Sequence, residues 1–152
     1  MAEKRLLLLG LSFRRKKDEG MLPAIERFDG LFFRVARKYL SSAKDIEVAV
    51  MIDDLTLVEG SAKMTYVKPE GEQWGKQTFS KELVRKAKVK NESFLAKKLK
   101  NKKYSEIFVS MGKKYAEALP DLSSYNVKIV FPTTGGPGPK AQALKEWIVM
   151  RE

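Results

Sequence analysis

A chain of 152 residues with 43% hydrophobic content is of single-domain size and can bury a core, and its 30 Lys+Arg against 19 Asp+Glu leave a net charge of +11, a balance that points to a polyanionic partner. The sequence holds neither cysteine nor histidine, which excludes disulfides, thiolate nucleophiles, Cys/His zinc sites and imidazole acid–base catalysis; any chemistry must fall to carboxylates, lysines, hydroxyls or backbone amides. Its apolar runs are far shorter than the roughly 20 residues of a bilayer-spanning helix, and its start lacks the small-residue cleavage region of a secretory signal, so a cytoplasmic protein with no membrane partner is expected.

The first strand is expected over Arg5 to Ser12, running straight into Phe13-Arg14-Arg15-Lys16-Lys17. Leu22 to Leu40 then carries Ile25, Phe28, Phe32, Val35, Ala36 and Tyr39 at helical spacing, opened by Pro23 and bent at Asp29-Gly30, as a crossover helix would be. A second strand over Ile46 to Ile52, with an extension to Val58, ends at Asp53-Asp54. Residues 59–79 are punctuated by Gly60, Pro69, Gly71 and Gly75, and within them Lys63 to Val67 reads as a strand; a hairpin or a flap is expected, with Trp74 as an exposed aromatic platform.

From Lys81 to Lys103 ten Lys/Arg face only Glu82 and Glu92, eight of the eleven net positive charges. Leu83, Val84, Ala87, Phe94, Leu95 and Leu99 recur there at helix-like intervals, so the stretch reads as a folded helix with a basic outer face, either a solvated surface or a nucleic-acid surface. A third strand over Ile107 to Met111 leads into Gly112-Lys113-Lys114, with a helix over Lys113 to Leu119 stopped at Pro120. The fourth strand, Val127 to Pro132, leads into Thr133-Thr134-Gly135-Gly136-Pro137-Gly138-Pro139-Lys140. Pro139 is expected to open a last helix that turns Ala141, Leu144, Trp147 and Ile148 inward.

Strands alternating with helices predict one α/β domain over residues 1–152: a mostly parallel, four-stranded sheet in three layers, with helices on both faces. Ligands of such sheets gather at the carboxyl ends of the strands. Three of those ends are basic, so Arg14, Arg15, Lys16, Lys17, Lys113, Lys114 and Lys140 are candidate phosphate contacts, with Thr133, Thr134, Gly135 and Gly136 as a glycine-rich anion cradle. Lys97, Lys98 and Lys100 would extend the track along the basic helix. The loop lacks the Gly-Lys-Ser/Thr ending of a Walker A motif. Asp53 and Asp54, with Glu59 nearby, are the acidic exception and could hold Mg²⁺ or Mn²⁺ for phosphodiester chemistry, although adjacent strand residues point to opposite faces. No cofactor is expected otherwise.

The block LPAIERFDGLFFRVARKYL (Leu22 to Leu40), preceded by Leu11-Ser12-Phe13-Arg14-Arg15-Lys16-Lys17, resembles a small archaeal domain found alone and within archaeosine synthase, the tRNA-modification enzyme related to tRNA-guanine transglycosylase. Tyr104 to Tyr115 looks like that domain's strand and Gly-Lys-x-Tyr turn, and Gly136 to Lys140 with Leu144-Lys145-Glu146-Trp147 looks like its terminal loop and helix. The resemblance implies a three-layer fold similar to uracil-DNA glycosylases and an association with nucleic acid, RNA before DNA and tRNA above all, alongside partners of a tRNA-modification system. Members commonly carry Cys-Ser after strand one and Ser-Ala-Lys-Tyr-Gly-Leu after strand two, where this chain has Leu11-Ser12 and Ile52-Asp53-Asp54-Leu55-Thr56-Leu57, with Asp54 in place of the lysine, so the family's activity is not simply carried over and the enzyme question stays open.

The expected role is therefore a nucleic-acid-binding domain, accessory to or degenerate within a tRNA-modification family. The alternatives are a metal-dependent nuclease at Asp53 or Asp54, a glycosylase-like enzyme with its pocket beside Ser12, and a basic scaffold that docks an acidic protein.

Overall fold

A computed structural model describes residues 3–68, 79–100 and 104–150. Among these residues, seven strands and five α-helices follow one another as β1 (Lys4–Leu9), β2 (Leu22–Pro23), α1 (Ala24–Arg27), α2 (Leu31–Leu40), β3 (Ile46–Met51), β4 (Leu57–Glu59), β5 (Lys63–Met64), α3 (Lys81–Leu99), β6 (Tyr104–Ser110), α4 (Lys113–Ala116), β7 (Lys128–Val130) and α5 (Pro137–Val149), with a 3₁₀ turn at Leu122–Ser124. The main sheet has the order β4-β3-β1-β6-β7. Its β3, β1, β6 and β7 run parallel. The four expected strands are present, and the sheet gains a fifth: the chain reverses after β3 and returns as antiparallel β4, pairing Met51 with Leu57 and Ala49 with Glu59.

Burial explains the central position of β1. Leu6, Leu7, Leu8 and Leu9 are all fully buried, and because successive strand residues face opposite ways, both sides of β1 must be covered. Phe108, the register partner of Leu7, lies 5.1 Å from the Trp147 ring of α5. Glu47, the partner of Leu6, is reached instead by Lys98 of α3. Helix α5 also packs along α2, and its last turn is fastened by buried Arg5, which donates to the Trp147 and Ile148 carbonyls and pairs with Asp45. Among the described residues no helix is long and apolar enough to cross a membrane.

The expected crossover helix is interrupted. Arg15 and Phe28 form an antiparallel bridge, flanked by Lys16 N–H to the Arg27 carbonyl and Asp29 N–H to the Arg14 carbonyl, both at 2.8 Å. This strand-like pairing competes with helical hydrogen bonding and draws Phe28 into an extended conformation (ψ 143°). Helix α2 restarts at Leu31 in a new phase, so Phe33 is buried and Phe32 only half-buried. Fully buried Arg27 closes the loop: its guanidinium donates to the carbonyls of Lys16, Asp18, Gly20 and Met64.

Asn91 occupies the buried α3 stripe with Ala87, Leu95 and Leu99. Its Oδ1 accepts from Leu57 N–H at 2.7 Å, and its Nδ2 donates to the Leu55 and Ala118 carbonyls. It thereby holds the turn that starts β4, in which Leu55 has a positive φ of 67°, an uncommon conformation for a branched side chain. Among the described residues of 59–79, Glu59 ends β4 and Lys63–Met64 forms β5, paired with Leu22–Pro23; residues 69–78, Trp74 among them, lie outside the described residues.

Candidate functional site

Three parallel strands deliver their carboxyl ends to one rim. Gly10, directly after β1, donates its N–H to the Ser110 carbonyl at 3.0 Å, and a Cβ at this position would lie 2.4 Å from Met111 Cβ. Glycine therefore lets the chain pass this close to Met111 where β1 and β6 end, and the residues that follow both strands line a cleft. Its larger lobe, 430 Å³, lies between Ser12, Phe13 and Arg14 on one side, the start of α2 opposite, and Met111 and Tyr115 at the back. A smaller lobe of 160 Å³ runs on toward Gly135, Gly136 and Lys140, sharing Phe32, Ser110, Met111, Gly112 and Pro137 as a common wall. Gly30 has its own steric role, because a Cβ there would stand 2.6 Å from Ser12 Oγ.

The lining is mainly apolar, with cations at the mouth. Arg14, Arg34 and Arg37 all approach Asp29, at 3.9 Å, 3.2 Å and 2.5 Å. Partial burial raises the Asp29 pKa, but hydrogen bonds and charge from Arg34 and Arg37 outweigh it and leave it below the usual aspartate value. Tyr115 is pushed up by burial, so it stays a neutral phenol. Ser12 Oγ donates to the Arg14 carbonyl, which holds the loop in place.

The Arg14-Arg15-Lys16-Lys17 run does not act as one patch. Its backbone is extended where it pairs with Phe28, so side chains alternate. Arg14 is 61% exposed, whereas Arg15 is 2% exposed, lies over the Phe28 ring and forms a two-pronged pair with Asp53. Lys16 reaches toward Glu26 and Lys17 is exposed. Asp53 is thus the counter-ion of Arg15, and Asp54 accepts from Thr56 N–H and Oγ1 within the turn. The two carboxylates serve different partners, and no group of three metal-ligating side chains occurs among the described residues.

The glycine-rich loop also differs from expectation. Helix α5 begins at Pro137, two residues earlier than Pro139, with Gly136 as its N-cap. Prolines at the first and third helical positions leave Gly138 as the sole amide donor of the first three, and Lys140 N–H is already bonded to the Gly136 carbonyl. The loop's Thr133, Thr134, Gly135 and Gly136 are exposed, and Gly135, Gly136 and half-buried Lys140 line the smaller lobe. Lys113 is exposed beside Gly112, while Lys114 is half-buried.

Helix α3 divides its cations. Lys97 and Lys100 are exposed, but Lys98 is 10% exposed and holds Glu47 at 3.1 Å and Glu59 at 2.9 Å. Glu47 also accepts from Lys4 and the Tyr104 hydroxyl. Burial opposes ionisation of Glu47, yet its bonds from Lys4, Tyr104 and Lys98 lower its pKa to about 2. This network sits at the amino ends of the strands. A six-residue strand spans roughly 20 Å, so this end of α3 is well removed from the cleft.

The sequence signal that would have found Arg34 and Arg37 is their spacing from Asp29, five and eight residues on, which returns both guanidiniums to one carboxylate across the bend. Asn91 was legible as a polar residue within an i,i+4 apolar stripe. Comparison with protein-family models, with curated proteins and with solved structures found no match.

Proposed function

We propose that the chain is a nucleic-acid-binding α/β domain, with tRNA as the expected partner, working as an accessory or degenerate member of a cytoplasmic tRNA-modification system. The observation that carries this reading is the apolar cleft at the carboxyl ends of β1, β6 and β7, lined by Arg14, Arg34 and Lys140, with exposed Lys113 directly after the lining residue Gly112. Cations on a rim attract phosphate without reading sequence, and half-buried aromatic side chains such as Phe13, Phe32 and Tyr115 give unpaired bases something to stack on. The parallel order β3-β1-β6-β7 is compatible with the three-layer arrangement that the family resemblance implies. RNA meets the rim first under this reading, and exposed Lys97 and Lys100 add a weaker, distant attraction.

The experiment is a salt titration of RNA binding. Each neutralised phosphate lowers log K by about 0.7–0.9 per log unit of salt, so rim engagement predicts a steep slope, and an affinity indifferent to ionic strength would remove the proposal. A second reading, a glycosylase-like enzyme, is favoured by the position of Ser12 in the cleft wall. Release of a free base from RNA or DNA, lost in Ser12→Ala, would support it. The metal-dependent version fits less well, because Asp53 and Asp54 are committed to Arg15 and Thr56.

A further inference from the structure

One carboxylate in the cleft mouth serves three guanidiniums. Arg37 is fully engaged, since it donates to the Ile25 and Phe28 carbonyls as well as to Asp29. That leaves Asp29 fixed in position and its charge already matched. Arg34 meets it only through bonds of 3.2 and 3.4 Å, longer than the 2.7–2.9 Å of strong charge-assisted pairs. Arg14 stands farther off, at 3.9 Å. The two outer arginines come from different elements, are 48% and 61% exposed, and both wall the larger lobe. The Asp29 cluster thus presents two positive charges beyond what its carboxylate neutralises, at the entrance to an otherwise apolar space.

The matching ligand has two parts. A flat apolar ring suits the inner lining of Leu11, Phe13, Phe32, Met111 and Tyr115, and an oxyanion suits the two guanidiniums. A carboxylate carries one negative charge on two coplanar oxygens, whereas a phosphate carries up to two on terminal oxygens set tetrahedrally, and so suits two spare guanidiniums that arrive from different elements. The lobe, at 430 Å³, falls in the range of about 300–1,000 Å³ typical of small-molecule sites.

We propose that this cleft binds a single nucleoside monophosphate, its base in the apolar lobe and its phosphate between Arg14 and Arg34, with Asp29 holding Arg34 ready for it. The choice of a nucleobase as the ring rests on the nucleic-acid reading above; the need for an oxyanion does not.

The test is calorimetric titration at low salt with adenosine and uridine 5′-monophosphates, the parent nucleosides and inorganic phosphate. A monophosphate should bind once per chain, with the nucleoside and phosphate each at least about tenfold weaker. Arg14→Gln and Arg34→Gln, both at exposed positions, should each weaken the monophosphate about tenfold, the loss of one charge-assisted contact, and leave nucleoside binding unchanged. Circular dichroism checks that both variants are folded. The proposal is overturned if nucleosides bind as tightly as monophosphates, if neither variant alters binding, or if millimolar monophosphate gives no heat. Steeply salt-dependent RNA binding without monophosphate binding sinks this inference alone. Monophosphate binding with salt-indifferent RNA binding sinks the nucleic-acid reading alone.

Discussion

The two ends of the parallel sheet carry similar residues and put them to opposite use. At the amino end, Lys4 and Lys98 are matched by Glu47 and Glu59, with Tyr104 completing the cluster. At the carboxyl end, three arginines share Asp29 beside an open cleft, with Lys140 in its smaller lobe and exposed Lys113 directly after the lining residue Gly112. One end spends its charge internally and the other presents it. A count of lysines along the chain does not by itself locate a polyanion site under the proposed function: in the richest run, α3, Lys98 is paired away from solution and Arg85 and Lys86 share Glu82, whereas the rim sets its cations around a cleft.

The strongest way to break this contrast is to strip the rim. Changing Arg14, Arg34, Lys113 and Lys140 together to glutamine should lower RNA affinity about 100-fold at 50 mM salt and flatten the log K against log salt slope by about 3, as measured by fluorescence anisotropy. An unaltered slope would mean that RNA binds elsewhere. Lys98→Ala should do the reverse, costing about 2 kcal/mol of stability by leaving two carboxylates without their shared ammonium, and lowering Tm by about 4–8 °C with the salt slope intact. Asp53→Ala should cost about 1–2 kcal/mol, a buried-pair penalty discounted for the exposure of Asp53, because Arg15 is left buried without its counter-ion. Urea unfolding measures it. Unchanged stability together with loss of a Mn²⁺-dependent cleavage would restore a catalytic role for that carboxylate.

Acid should separate the two ends further. The Glu47 pKa falls from 4.5 in the unfolded reference to about 2 in the fold, so its stabilising contribution is fully present above about pH 4.5 and is lost as the pH falls toward 2. Glu47→Gln should flatten the stability profile across that window by about 1–2 kcal/mol, visible in urea midpoints at pH 5 and pH 3. The smallest effect belongs to Lys97→Ala with Lys100→Ala, expected to weaken RNA binding about threefold at low salt through long-range attraction alone. A loss as large as that of the rim variant would move the principal contact to α3.

Much of this architecture was written in local pattern. Aliphatic runs located β1, β3 and β6, and the Ala87–Leu95–Leu99 spacing located α3, because hydrophobic periodicity acts within a few residues. What escaped depended on partners distant in sequence. The Leu22 to Leu40 block looks like one helix until Arg14 to Lys16 pairs with it, and β4 looks like a continuation of β3 until Asn91, over thirty residues away, holds the intervening turn. The cationic rim was legible in kind, since loops after strands were basic, but not residue by residue. Nothing local marks Arg15 as buried and Arg14 as exposed, nor Lys98 as paired between exposed Lys97 and Lys100. Those assignments follow from Phe28, Asp53, Glu47 and Glu59, which the fold supplies.

Both outer strands of the main sheet, β4 and β7, are only three residues long. Each therefore offers a foreign chain very few vacant backbone donors and acceptors, and Lys128 adds an exposed charge to one border. Strand-by-strand accretion is the usual hazard of an open sheet, and here it has almost no template. If the chain gathers on a polyanion as proposed, margins too brief to zip together keep neighbouring copies apart.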